Sequence, residues 1–167
     1  VMRAVRAGLF GGVSNTEFAP EEPMTRGMLV TVLWRYAGEP KASKAAPFTD
    51  VAAGEWYSSA VAWAYERGIV NGISATTFGV NDNVTREQLT AMLCRYAASA
   101  GFDVTASAGL NGFTDHAAVS DYALYAMRWA VASGIVNGDG GKLLPAGNAT
   151  RAQCAKMMIV FTEKYPK

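Results

Sequence analysis

Three arginines, Arg26, Arg86 and Arg151, each directly follow a threonine, and they stand 60 and 65 residues apart. Threonine ahead of an apolar run with helical spacing marks a helix start, so each arginine falls in a first helical turn. A cation there opposes the helix macrodipole by about a few tenths of a kcal/mol, where an acid would be favoured. The same locally unfavourable choice, made three times, points to a use outside the helix. Two uses fit. An arginine beside the free amides of a helix N-terminus is a compact anion receptor, a charged fork backed by backbone donors. Alternatively, the guanidinium bonds the carbonyls of a neighbouring segment or a loop carboxylate. In the first case, replacing the arginine should cost binding and leave stability little changed.

Other residues capable of chemistry do not assemble. Cys94 and Cys154 occupy positions filled elsewhere by Trp34, Ile159, Leu29 and Leu89. They read as small, reduced, buried filler, and two cysteines cannot build a structural zinc site. His116, the only histidine, sits in a turn with no serine motif to accompany it. Asn81-Asp82-Asn83 and Gly138-Asp139-Gly140 carry one carboxylate each, too few for a calcium loop. The glycine-containing loops lack the lysine of a phosphate-binding loop. No spaced pair of acids recurs as glycoside hydrolysis would require. The sequence offers no catalytic group, metal or cofactor site, so enzymatic activity is not expected.

The arginines belong to a larger period. The stretch Pro47 to Tyr96 contains FTD, an aromatic, an alanine-rich segment ending in GIVNG, a polar loop and then VTREQLTAMLCRY. Phe113 to Phe161 repeats that order, and Val1 to Tyr36 repeats its second half with GLFGG and MTRGMLVTVLWRY. Such self-similarity signals tandem units. Gly8, Gly68 and Gly134 mark the end of each first helix, where a left-handed residue is wanted. Leu9-Phe10, Ile69-Val70 and Ile135-Val136 follow as apolar plugs, and Phe18, Phe78 and Leu143 anchor the loop. Thr85 with Gln88 and Thr150 with Gln153 fit a capping box, whereas Thr25, with Met28, can only cap alone.

The second helices then show apolar stripes: Leu29, Val32, Leu33, Tyr36; Leu89, Met92, Leu93, Tyr96; Cys154, Met157, Met158, Phe161. The first helices are apolar on several faces and should pack inside or between units. Asp50 and Asp115 are placed for an Asx-turn or a local cap. Gly38 to Ala46 and Ala98 to Gly112 read as linkers. The expected fold is all-α: three tandem helix–loop–helix units around a pseudo-threefold axis, with six helical segments and the first, Val1 to Ala7, stunted. The units divide as residues 1–40, 41–100 and 101–167.

These residues carry a resemblance. FTD, the aromatic, the alanine-rich helix closing on Gly-Ile-Val-Asn-Gly, and the Thr-Arg helix start together resemble the S-layer homology domain, in three copies in register. Such domains anchor bacterial surface proteins to cell-wall polysaccharide. The family's grooves lie between repeats at the Thr-Arg segments and hold secondary cell-wall polymer, often through a sugar bearing a pyruvate ketal. The resemblance therefore implies Arg26, Arg86 and Arg151 as ligand residues. It adds the turns Asn71-Gly72 and Asn137-Gly138, and Trp63 and Trp129 as sugar-facing surfaces. The family's Thr-Arg-Ala-Glu loses its glutamate in all three copies, where Met28, Gln88 and Gln153 stand. Copy one also has Gly11-Gly12 for Asn-Gly and Arg3 for the tryptophan.

The expected partners are an anionic, pyruvylated cell-wall polysaccharide and upstream domains of the same protein, at an extracellular, wall-associated location. A structural or self-assembly module that binds no glycan is the alternative. Composition is compatible with either: 17% charged and 50% hydrophobic residues describe a packed domain rather than a disordered chain. A net charge of +1 excludes a broad polyanion surface, so nucleic acid is not an expected partner. No apolar run reaches membrane-spanning length. Val1 to Gly12 lacks the apolar core and cleavage site of a signal peptide. The opening in mid-unit leads us to expect a C-terminal piece of a longer protein.

Overall fold

The structure, a computed structural model, describes Gly8, Phe10, Gly11 and residues 18–166. Five helices run along it: α1 Arg26–Tyr36, α2 Ser58–Glu66, α3 Arg86–Ser99, α4 Asp121–Ala132 and α5 Arg151–Lys164, with a short 3-10 turn at His116–Ala118. Among the described residues there are isolated β-bridges but no strand. The stunted helix expected over Val1 to Ala7, and Leu9, lie outside the described residues.

Thr25, Thr85 and Thr150 cap α1, α3 and α5, each hydroxyl accepting from the amide three residues on. Gln88 and Gln153 complete capping boxes and Met28 does not, as the side-chain chemistry dictates. Gly8, Gly68 and Gly134 all take positive φ, near +70°, where any side chain would be strained. The next residues, Ile69 and Ile135, then donate back to Ala64 and Ala130. Both cysteines are free and buried.

The second helices turn their stripes to one centre. Leu29, Leu33, Leu89, Leu93, Cys154 and Met158 are wholly buried. The ring centroids of Tyr36, Tyr96 and Phe161, equivalent positions of the three copies, form a triangle with sides of 5.9, 6.0 and 5.8 Å. The first helices fill the gaps between units: α2 packs on α1 of the preceding copy, and α4 on α3.

Backbone bonds ahead of the caps make the same symmetry cyclic. The Met24 amide donates to Ala149 O at 2.9 Å, Ala149 to Val84 O at 2.9 Å, and Val84 to Met24 O at 2.8 Å. Equivalent residues thus close a ring of three hydrogen bonds, with the third copy bonded back to the first.

Asp50 and Asp115 do not cap locally. Asp50 instead accepts from the amides of Phe78, Gly79 and Val80 at 2.7, 2.7 and 3.3 Å. Asp115 does the same for Leu143 and Leu144 at 2.8 Å each. The loop before each second helix is irregular, so its amides need an acceptor from outside, and the carboxylate supplies it. Burial alone would raise both carboxyls, but these amide bonds outweigh it and hold them below the usual aspartate range.

Candidate functional site

The loop–helix junctions of successive copies interlock, and each junction seats one helix-start arginine. The Arg26 and Gly27 amides donate to Asp82 O and Val80 O, those of Arg86 and Glu87 to Gly147 O and Pro145 O, and those of Arg151 and Ala152 to Glu22 O and Pro20 O. The third amide of each helix goes to its threonine cap. The amides that the sequence offers to an anion are therefore already satisfied, because the neighbouring loop reaches them first. A receptor built from free helix-start amides does not exist here.

The side chains follow the same cyclic order. Arg26 Nε donates to Phe78 O and Nη2 to Asn71 O, both at 3.0 Å. Arg151 Nε donates to Phe18 O at 2.8 Å and Nη2 to Gly11 O at 2.7 Å. Arg86 Nε donates to Leu143 O at 2.8 Å. Arg26 and Arg151 also lie over the Phe78 and Phe18 rings, 4.7 Å from each centroid. Leu143 offers no such face, and Arg86 stays half-buried while Arg26 and Arg151 are 5% exposed. Burial lowers the pKa of Arg26 and of Arg151, and at Arg26 the charge of Asp82 pulls back the other way. Guanidinium basicity leaves both cationic.

Three cavities open at these junctions. Arg26, Asn71, Gly72, Ile73, Arg95 and Tyr122 contribute to one of about 410 Å³. Arg86, Asn137, Gly138, Asp139 and Lys156 contribute to one of about 200 Å³. Phe10, Gly11, Arg35, Trp56 and Arg151 contribute to the third, of about 210 Å³. The structure thus joins Arg26 with Asn71-Gly72 and Arg86 with Asn137-Gly138, each pair drawn from two different copies. The glycines are there for close packing. A methyl group on Gly72 would run into the Ser74 and Thr77 carbonyls and the Phe48 ring, and one on Gly138 into the Phe113 ring.

Trp63 and Trp129 are not in the grooves, which corrects the sugar-facing role. They are 3% and 0% exposed, Trp63 packing on Tyr96 at 6.0 Å and Trp129 donating Nε1 to the Tyr165 hydroxyl at 3.1 Å. Both lie mid-helix on the side that faces the next helix, so burial claims them. The exposed aromatics that reach grooves are Trp56 and Tyr122, at 54% and 52% exposure. Sequence reasoning passed over them, together with Arg35 and Arg95, although the recurrence of Arg-Tyr in WRY and CRY was visible.

A family model described as the S-layer homology domain matches residues 1–27, 47–90 and 112–155, well over half the chain. The chain belongs to the S-layer homology domain family. The matches fall on the three copies in turn, and the family is associated with the cell surface. The S-layer homology chain is 31% identical over 92% of its length to an amylopullulanase of Thermoanaerobacterium thermosulfurigenes, of which it spans 8%. It is 32% identical over 92% of its length to an endoglucanase of Bacillus sp. (strain KSM-635), spanning 16% of that protein. It is also 32% identical over 83% of its length to the surface-layer 125 kDa protein of Lysinibacillus sphaericus, spanning 11%. In fold it resembles an undecaheme cytochrome from the S-layer of Carboxydothermus ferrireducens, with a TM-score of 0.54 at 19% identity, over 99% of this chain and 20% of that one. Among the described residues no helix is long and apolar enough to cross a membrane.

Proposed function

We propose that this S-layer homology module anchors the protein that carries it, noncovalently, to the bacterial cell wall. Its grooves would hold an anionic wall polysaccharide, with a pyruvate-ketal sugar as the bound group. The observation that carries the reading is the pairing of an arginine with the Asn-Gly turn of the next copy, Arg26 with Asn71-Gly72 and Arg86 with Asn137-Gly138. Each arginine bonds neutral carbonyls rather than a carboxylate, so its positive charge is not cancelled by its own bonding partners. An arriving carboxylate can use the remaining donors of the fork. One such charge-assisted bond is worth about 1.5–3 kcal/mol, roughly ten- to a hundredfold in affinity. The relatives span much longer chains, in keeping with an anchor attached to further domains of the same protein.

The carbonyl bonds of the arginines also favour a second reading, a structural or self-assembly module that binds no glycan. Pull-down on purified wall polysaccharide, before and after mild acid removal of ketals, separates the two. Retention that falls on ketal removal supports anchoring through the acid. A chain that ignores the polymer in both states leaves the structural module standing.

A further inference from the structure

The helix-start arginines commit part of their fork to the protein itself, so the ligand-facing charge in a groove can be shared with another residue. We propose that in the largest groove this residue is Arg95. It would act with the Tyr122 ring as a stacking surface that Glu87 holds in place, making this groove the principal carboxylate-sugar site of three unequal ones. The inference rests on the proposed function and names the side chains that would select the ligand.

Arg95 lines the same cavity as Arg26, Gly72 and Tyr122. It is half-buried on α3, and among the described residues its guanidinium makes no hydrogen bond or ion pair. A free cation on a groove wall, beside a bonded one, is what a single carboxylate from solvent would meet.

Glu87 supplies the rest. It is 7% exposed and accepts from the Ser120 amide at 3.0 Å, the Ser120 hydroxyl at 2.8 Å and the Tyr122 hydroxyl at 3.2 Å. Those bonds fix the start of α4 and the tyrosine together, while half the tyrosine surface stays open to the groove. A ring held this way offers a sugar face a platform whose ordering cost is already met. Ile73, 57% exposed on the same rim, gives an apolar surface for a ketal methyl group.

The other grooves lack parts of this set. At the position of Glu87 the first and third copies carry Gly27 and Ala152, neither of which can tether an aromatic. The Arg151 groove has Arg35 and Trp56, both exposed, at about half the volume. The Arg86 groove is lined by both Asp139 and Lys156 and, among the described residues, by no aromatic.

The test titrates the whole chain with the methyl glycoside of a pyruvate-ketal hexose and with its ketal-free counterpart, by calorimetry, beside thermal melts. Arg95→Ala should lose about ten- to a hundredfold in affinity for the ketal sugar, while Tm stays within about 2 °C. Arg95→Lys should recover part of the loss, since the charge returns without the planar fork. Tyr122→Leu should weaken both sugars by a similar factor, because stacking reads the ring and not the charge. Glu87→Ala should do the same and Glu87→Gln less, since the amide oxygen still accepts from Ser120. If the wild-type chain binds the ketal sugar and Arg95→Ala binds it equally well, the assignment is overturned and the anchoring function stands. If the wild type binds neither sugar nor wall polymer, both fall together.

Discussion

Arg26→Ala is the sharpest test of how the module is held together. The dipole argument alone predicts a gain of about a few tenths of a kcal/mol, because a cation leaves the first helical turn. The structure predicts a loss. The substitution removes two bonds from a charged donor, to Phe78 O and Asn71 O at 3.0 Å, and the contact with the Phe78 ring. Hydrogen bonds to charged groups contribute about 1.5–3 kcal/mol each in partly buried settings. Water entering the groove can satisfy the Asn71 carbonyl, but the bond to Phe78 O is buried and its loss leaves that acceptor without a partner.

Counting one bond at full value and one largely replaced, the net cost is about 2–4 kcal/mol. For a chain of this size that lowers Tm by about 5–12 °C. Arg151→Ala should match it, and Arg86→Ala, with one bond and no ring, should lose about half as much. Melts followed by circular dichroism, with urea titration to confirm an unchanged m-value, give the ranking. An Arg26→Ala protein melting within about 2 °C of wild type would refute the clamp and return the arginine to a purely ligand-binding role.

Two further predictions concern the loop-bridging aspartates and the thiols. Asp50 and Asp115 are held below the usual aspartate range of about 4, so their contribution is complete above that range and is lost as pH falls through the folded values. Tm should therefore be flat near neutrality and drop below about pH 4, and Asp50→Asn should flatten that acid limb while lowering Tm at pH 7; an unchanged pH profile in the variant would remove Asp50 from the account. Burial pushes the Cys94 thiol up to about 11 and Cys154 to about 12, so neither forms thiolate at neutral pH. Native labelling by a maleimide should be slow for both and immediate in denaturant, and rapid native reaction at either would contradict its burial.

What the sequence made legible is what short-range chemistry decides. Thr85 and Gln88 lie within one helical turn, so their box could be read from the residues alone, as could the missing box at Met28. The cysteines were placed by the apolar positions they share, Cys154 with Leu29 and Leu89 and Cys94 with Trp34 and Ile159. Partners set by closure could not be read. Arg26 meets Phe78 and Asn71, and Arg151 meets Phe18 and Gly11, at separations of 52, 45, 133 and 140 residues. Nothing in the local pattern of Thr-Arg says that the preceding loop of another copy will already occupy the helix start. Trp63 and Trp129 failed for a related reason: a helix apolar on several faces does not reveal which face meets its neighbour. Asp50 was read as a local turn former, and it serves a loop 28 residues on.

The ring formed by Met24, Val84 and Ala149 bears on how an anchor responds to pulling. In an open stack of repeats the outermost unit has one interface and can be peeled away first, with the rest following in steps. A closed trio has no outermost unit, since every copy is bonded on both sides. Tension applied through either end of the chain must then break two seams before any single copy is released. A tether built this way should hold and then give in one event rather than lengthen gradually. In a single-molecule extension trace that is one cooperative rip for the whole module, where a linear array of the same helices would show a staircase.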